Sequence, residues 1–133
     1  GIDAGRAWNT WPDMNGQFIP DSAFDLAPIW RNFFENSGLV QFMHRYWGYM
    51  AFAFAIFLGI RAGKSPNKRT RKAIGRICLL ITLRIIIGIV TVVMGAPLWI
   101  AIIHQGVAIA LWLATIYATF LAAHPIQPSI RDA

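Results

Sequence analysis

Residues 98–123 run for 26 positions without an Asp, Glu, Lys or Arg. As a helix, such a run exceeds the roughly 30 Å of a bilayer's hydrocarbon core. It is apolar on all sides, whereas an amphipathic helix of a soluble protein keeps a polar face. Two other apolar stretches precede it. The first, 39–60, carries Gln41, His44 and Arg45 near its start and then fifteen uncharged residues from Tyr46 to Ile60. The second, 73–94, is interrupted by Arg76 near one end and Arg84 in its middle. About 20 apolar residues suffice to cross a membrane. The expectation is therefore an all-α membrane protein with three transmembrane helices. The alternative, a soluble bundle with unusually apolar core helices, is opposed by the third stretch.

Charge sets the expected orientation. Of twelve basic residues, seven lie between Arg61 and Arg76, while five of the six acids lie within residues 1–40. The basic loop 61–72 is expected on the cytoplasmic side, or on the matrix side of a mitochondrial inner membrane. Residues 1–38 are then an outer loop with a short helix near 26–36, 95–97 an outer turn, and 124–133 an inner tail. Trp8, Trp11, Phe18, Phe24, Trp30, Phe33 and Phe34 make that loop aromatic, which suits the membrane–water boundary or a cover over the mouth of a bundle. Only 14% of residues are charged, against about 25% in soluble domains. The single cysteine, Cys78, excludes an intrachain disulfide, a cysteine zinc site and covalent haem attachment. Nothing points to nucleic acid; the basic run is expected to meet lipid headgroups. With Gly at position 1 and an odd number of spans, the chain is expected to be processed or a piece of a larger bundle.

The histidines carry the most chemistry. His44 lies about 7–8 Å into the first helix from the outer side, and His104 about 9 Å into the third. Two imidazoles on different helices thus share one depth, where an unpaired polar ring is costly. Such a pair either bridges helices by hydrogen bonds or supplies both axial ligands of one haem iron. On spacing alone both readings stay open. For the second, Gly48, Ala101, Gly106 and Ala108 would leave room, Phe42, Tyr46 and Trp47 would wall the cofactor, and Arg45 or Arg6 would meet its propionates. Arg84, in the middle of an apolar helix, must face the bundle interior and find a carboxylate, a propionate or backbone carbonyls. Glu35 is expected to pair with Arg31 or Arg45, or to stay solvated. His124, beside Pro125, is expected at the inner interface without a cofactor role. No phosphate loop, HExxH motif or Ser-His-Asp set is present.

The run from Asp3 to Pro20 resembles the outer loop that opens the second half of haem A synthases. Arg31-Asn-Phe-Phe-Glu-Asn36 continues the likeness, and Gln41-Phe-Met-His-Arg45 and Ile103-His-Gln105 resemble the two histidine motifs of that half. The likeness is closest to the proteobacterial and mitochondrial branch. It implies an eight-helix enzyme of two similar four-helix halves that oxidises a methyl group of haem O to the formyl group of haem A. It implies that this half holds one b-type haem between His44 and His104, with Arg45, Gly48 and Arg84 beside it, and that catalysis belongs to the other half. Gln41 stands where the catalytic half of the family carries Glu, and Arg84 stands where a neutral polar residue is expected. The implied partners are the absent N-terminal half, the remaining helix of the bundle, haem O synthase and oxidase assembly factors. The first rival reading is a membrane b-type cytochrome, an electron-transfer or anchor subunit without haem oxidation. The second is a cofactor-free assembly subunit whose histidines only bridge helices.

Overall fold

A computed structural model of the chain describes residues 4–124. The expected inner tail, apart from His124, lies outside them. The elements in order are α1 (Ala4–Ala7), 3-10 turns at Asp21–Phe24 and Ile29–Arg31, α2 (Asn32–Glu35), and three long helices: α3 (Ser37–Gly63), α4 (Lys68–Val93) and α5 (Leu98–Ala123). Regular structure among the described residues is thus helical, apart from one isolated bridge between Met14 and Gln17.

Local chemistry sets the ends of the long helices. The Asn36 side chain accepts from the Leu39 N–H and starts α3. Asn67 accepts from the N–H groups of Arg69 and Thr70 and starts α4. Apolar content places that start at 73. The cap moves it back to Lys68 and winds most of the basic run into the first turns, leaving 64–67 as the connection. Four cations, Lys68, Arg69, Arg71 and Lys72, thereby sit at the positive end of a helix dipole, which by itself disfavours them. The turn between α4 and α5 places Gly95 (φ 72°) and Ala96 (φ 54°) in the left-handed region, and the Ala96 N–H closes it on the Thr91 carbonyl at 2.7 Å.

Helix α4 lies at the centre, with α3 and α5 on either side. Ala55 from α3 and Ile77 and Ile81 from α4 form the buried heart, against which Phe52, Leu111 and Ala114 pack. Small residues bring α3 and α4 close: a Cβ placed on Gly59 would stand 2.9 Å from the Cys78 Sγ. That thiol donates to the Ala55 carbonyl at 3.2 Å.

Two helices, α4 and α5, are long and apolar enough to cross a membrane. In their apolar windows only 11% and 0% of residues are buried within the protein, whereas a soluble core helix would be mostly buried. With both apolar helices turned outwards, the chain is an integral membrane protein. The expected third span is less clear-cut. Helix α3 has 27 residues, but its first turns hold Gln41, His44, Arg45 and the weakly apolar rings of Tyr46, Trp47 and Tyr49, so its membrane-length stretch is less apolar than those of α4 and α5.

The Gly59 contact yields a test. Gly59→Val is expected to separate α3 from α4 and destabilise the protein by about 1–3 kcal/mol, the usual range for overpacking. Adding Cys78→Ala should recover part of that loss in thermal unfolding in detergent.

Candidate functional site

His44 lies in the second turn of α3, His104 in the second turn of α5, and Gly88 in the penultimate turn of α4. All three occupy the same end of the bundle. The two imidazole centroids stand 6.3 Å apart with their planes at 66°. Gly88 makes this possible. A Cβ there would come within 3.0 Å of His104 Cε1 and 3.5 Å of its Nδ1, so the absent side chain lets the ring lie against α4. The sequence reading did not single out Gly88. Its signal was the interruption of Ile85-Ile86-Ile87 and Ile89-Val90 by one glycine, a sign of close approach.

Arg84 sits one turn deeper on α4. Its Nη1 donates to the His104 carbonyl at 3.1 Å. A carbonyl has two lone pairs, so it can take this bond beside the one within its helix. Of the partners considered for Arg84, the backbone carbonyl is the one present. The bond ties α4 to α5 at the residue that carries the imidazole.

These groups border a cavity of about 520 Å³, within the range of cofactor sites. His44, Gly48, Arg84, Gly88 and His104 all line it, together with Arg45 and Trp47. No atom lies within 4 Å of where a Gly48 side chain would begin, so this wall borders open space. His44 is exposed and His104 half-buried. The buried Nδ1 of His104 has no hydrogen-bond partner within the protein. Phe42 and Tyr46 do not wall the cavity. Their rings lie 4.4 Å apart and pack against Phe18 of the outer loop. Ala101, Gly106 and Ala108 are likewise outside its lining.

The loop that precedes α3 lies over this space, and its Ala4, Gly5 and Trp11 contribute to the lining. Its fastening comes from the same turns of α3 that carry His44. Gln41 Nε2 and Arg45 Nη2 both donate to the Trp8 carbonyl at 2.8 Å, and Arg45 Nη1 donates to the Asp13 carbonyl at 2.8 Å. Trp11 Nε1 donates to the Tyr49 hydroxyl at 2.8 Å. Gln41 and Arg45 are buried, at 5% and 8% exposure. Arg45, expected to meet a propionate, thus has both terminal nitrogens committed to the loop backbone. Glu35 pairs with Arg31 rather than Arg45, and the hydrogen bonds from that guanidinium hold the Glu35 carboxyl below its ordinary range. His124 stacks on Phe120 at the far end of α5, with centroids 4.5 Å apart, remote from the cavity lining.

Two imidazoles with centroids 6.3 Å apart on different helices, a buried His104 Nδ1 without a partner in the protein, and glycines on two helices form a donor set that could hold a metal cofactor. Among the described residues there is no group of three or more His, Cys, Asp or Glu that would make a larger protein-only metal site.

Fold and site together define an all-α membrane protein with a two-histidine cavity between helices at one end of its bundle. The chain belongs to the family described as "Cytochrome oxidase assembly protein", whose sequence profile matches residues 1–116. It is 47% identical over 131 residues to a protein of Ruegeria sp. (strain TM1040) named "Heme A synthase". Proteins of the same name from Roseobacter denitrificans and Paracoccus denitrificans are 48% and 40% identical over the same length. Each alignment covers 98% of this chain and 34% of the relative. The chain therefore spans about a third of the length of these relatives. No solved structure matches it.

Arg45→Met, which keeps bulk but removes the donors, should release the Trp8 and Asp13 carbonyls. At about 1.5–3 kcal/mol for hydrogen bonds to a charged group, amide exchange and proteolysis in residues 8–16 should rise at least tenfold, while α4 and α5 stay protected.

Proposed function

We propose that this chain is the haem-ligating part of a haem A synthase, in which His44 and His104 provide both axial ligands of one b-type haem. The observation that carries the reading is the 6.3 Å separation of the two imidazoles across the cavity. The names of the relatives favour the synthase over an unrelated cytochrome anchor.

A bis-imidazole haem has both axial positions closed, which suits electron transfer or a structural role and disfavours oxygen binding. The residues of this chain divide the remaining work. His44 and His104 present their imidazoles to the same cavity. Gly48 and Gly88 keep side chains out of the space between the helices. Arg84 anchors the His104 backbone and keeps a cation on the cavity wall. Gln41, Arg45 and Trp11 fasten the loop that lies over the cavity. None of these residues is assigned a catalytic role. The oxidation of the haem O methyl group to formyl is proposed to occur on other parts of the whole protein, which supply the N-terminal half and the remaining helix. Haem O synthase and oxidase assembly factors are the proposed partners.

The proposed location is the bacterial plasma membrane or the mitochondrial inner membrane, with 64–67 and the adjoining basic turns facing cytoplasm or matrix. Helix α3 completes the three spans. What supports this third span is its 27 residues, close to the length of α4, against which it packs through Ala55 and Gly59. On that side anionic headgroups offset the dipole penalty of Lys68 to Lys72.

Purified full-length protein should show haem bands in a reduced-minus-oxidised spectrum. His44→Ala and His104→Ala should each lose most of the bound haem, and Gly88→Val should lose it by displacing the His104 ring. His124→Ala should retain it. Equal behaviour of all three histidine variants would remove the reading, and absence of haem A product from the full-length protein supplied with haem O would remove the synthase.

The topology has its own test. Ser65→Cys, on a Cys78→Ser background, should react with an impermeant maleimide only after the cytoplasmic or matrix face is opened, and Thr10→Cys should react from the outside. The reverse pattern would invert the orientation.

A further inference from the structure

The aromatic residues of the outer loop divide into two sets. Trp8, Trp11 and Phe18 are engaged with α3, through the Trp8 carbonyl, the Trp11–Tyr49 hydrogen bond and the packing of Phe18 on Phe42 and Tyr46. The second set lies on the short helical segment formed by the turn Ile29–Arg31 and α2. Ile29, Trp30, Phe33 and Phe34 are exposed by 62%, 58%, 45% and 72%. Among the described residues none of these three rings makes an aromatic contact with another.

The roll of this segment is fixed. Asn32, fully buried, donates from Nδ2 to the carbonyls of Leu26 and Ile29 at 2.8 and 2.9 Å and accepts the Leu26 N–H at 2.9 Å. Arg31 Nη1 donates to the Ala27 carbonyl, and its Nε and Nη2 bind Glu35. One residue, Asn36, separates the segment from α3. Its side chain caps that helix and donates to the Ser22 carbonyl. The four apolar side chains are therefore held outwards by a polar network, on a segment joined almost directly to α3.

We infer that this segment is an interfacial anchor, with Ile29, Trp30, Phe33 and Phe34 seated in the outer headgroup–acyl boundary. Three observations favour lipid over a protein partner. The segment leads into α3 at the end of the bundle that also holds the α4–α5 turn, where Val93, Met94, Leu98 and Trp99 are exposed as well. Trp is enriched at such a boundary, and Trp and Phe are among the residues that form the buried face of helices lying in it. The only charges on the segment, Arg31 and Glu35, neutralise each other in an i, i+4 pair, which suits a surface that accepts polar groups without net charge. The anchor sets the height of the loop, and with it the roof over the two-histidine cavity.

The test uses the full-length protein in liposomes on a Cys78→Ser background, with nitroxide labels at Trp30→Cys, Phe33→Cys and Phe34→Cys, and at Asp25→Cys as the aqueous control. Collision accessibility to molecular oxygen should exceed that to a water-soluble nickel chelate at positions 30, 33 and 34, and the order should reverse at 25. Nickel-chelate accessibility equal to that at Asp25 would overturn the proposal by showing the segment in water. Low accessibility to both reagents at 30, 33 and 34 would also overturn it, by showing polypeptide over these side chains.

Discussion

Lipid offers nothing to an imidazole or a guanidinium, so a polar group at this end of the helices gains from any partner the protein can offer. That constraint organises the site. Arg84 meets it by crossing to the His104 carbonyl, which fixes α4 against α5 at one level. Gly88, a turn closer to the surface, lets the His104 ring turn into the same space as His44. Without both devices the helices would still pack through Ala55, Ile77 and Ile81, but nothing would hold two rings at 6.3 Å. The small residue supplies proximity and the cation supplies register.

One short motif on α3 serves two ends. Gln41 and Arg45, four residues apart, lie on one helical face and grip the Trp8 and Asp13 carbonyls. His44, between them in sequence, lines the cavity. The roof and the candidate ligand are thereby fixed to the same two turns, so a shift of the loop cannot occur without strain near the imidazole. The backbone carbonyls of the loop take both terminal nitrogens of Arg45, which offsets part of the cost of burying a guanidinium here.

Much of this was legible in the sequence because the informative features were local. Hydropathy marked the long helices to within a few residues, and counting from their outer ends placed His44 and His104 at one depth. The start of α4 was not legible from hydropathy, because a capping Asn67 winds charged residues into the helix. The partners of Arg84, Arg45 and Glu35 were left as alternatives, since choosing among them requires the rotation of each helix about its axis, a property of packing. Gly88 was missed for the same reason. A glycine among isoleucines signals that something approaches, but only the packing of α5 shows that it is an imidazole. Helix α3 illustrates the opposite limit: the polar and ring residues that make the site lower its apolarity, so the span richest in function is the one hydropathy identifies least clearly.

On the proposed reading, this arrangement also bears on where oxidation can take place. His44 and His104 would then both be taken up in holding the iron, which would leave oxygen chemistry to other parts of the whole protein, and the loop fastened by Gln41 and Arg45 lies over the site. Such a site stabilises a cofactor and passes electrons better than it performs chemistry on a bound substrate. A carboxylate near the ligand would offer a proton acceptor, yet Gln41 occupies the place nearest His44 on its own face of α3 and donates to a backbone carbonyl. Within the described residues, the acids belong to the loop segments, and Glu35 is neutralised by Arg31. The chain thus brings together two imidazoles, open space and a fixed cation, and no carboxylate is among the residues that line the cavity.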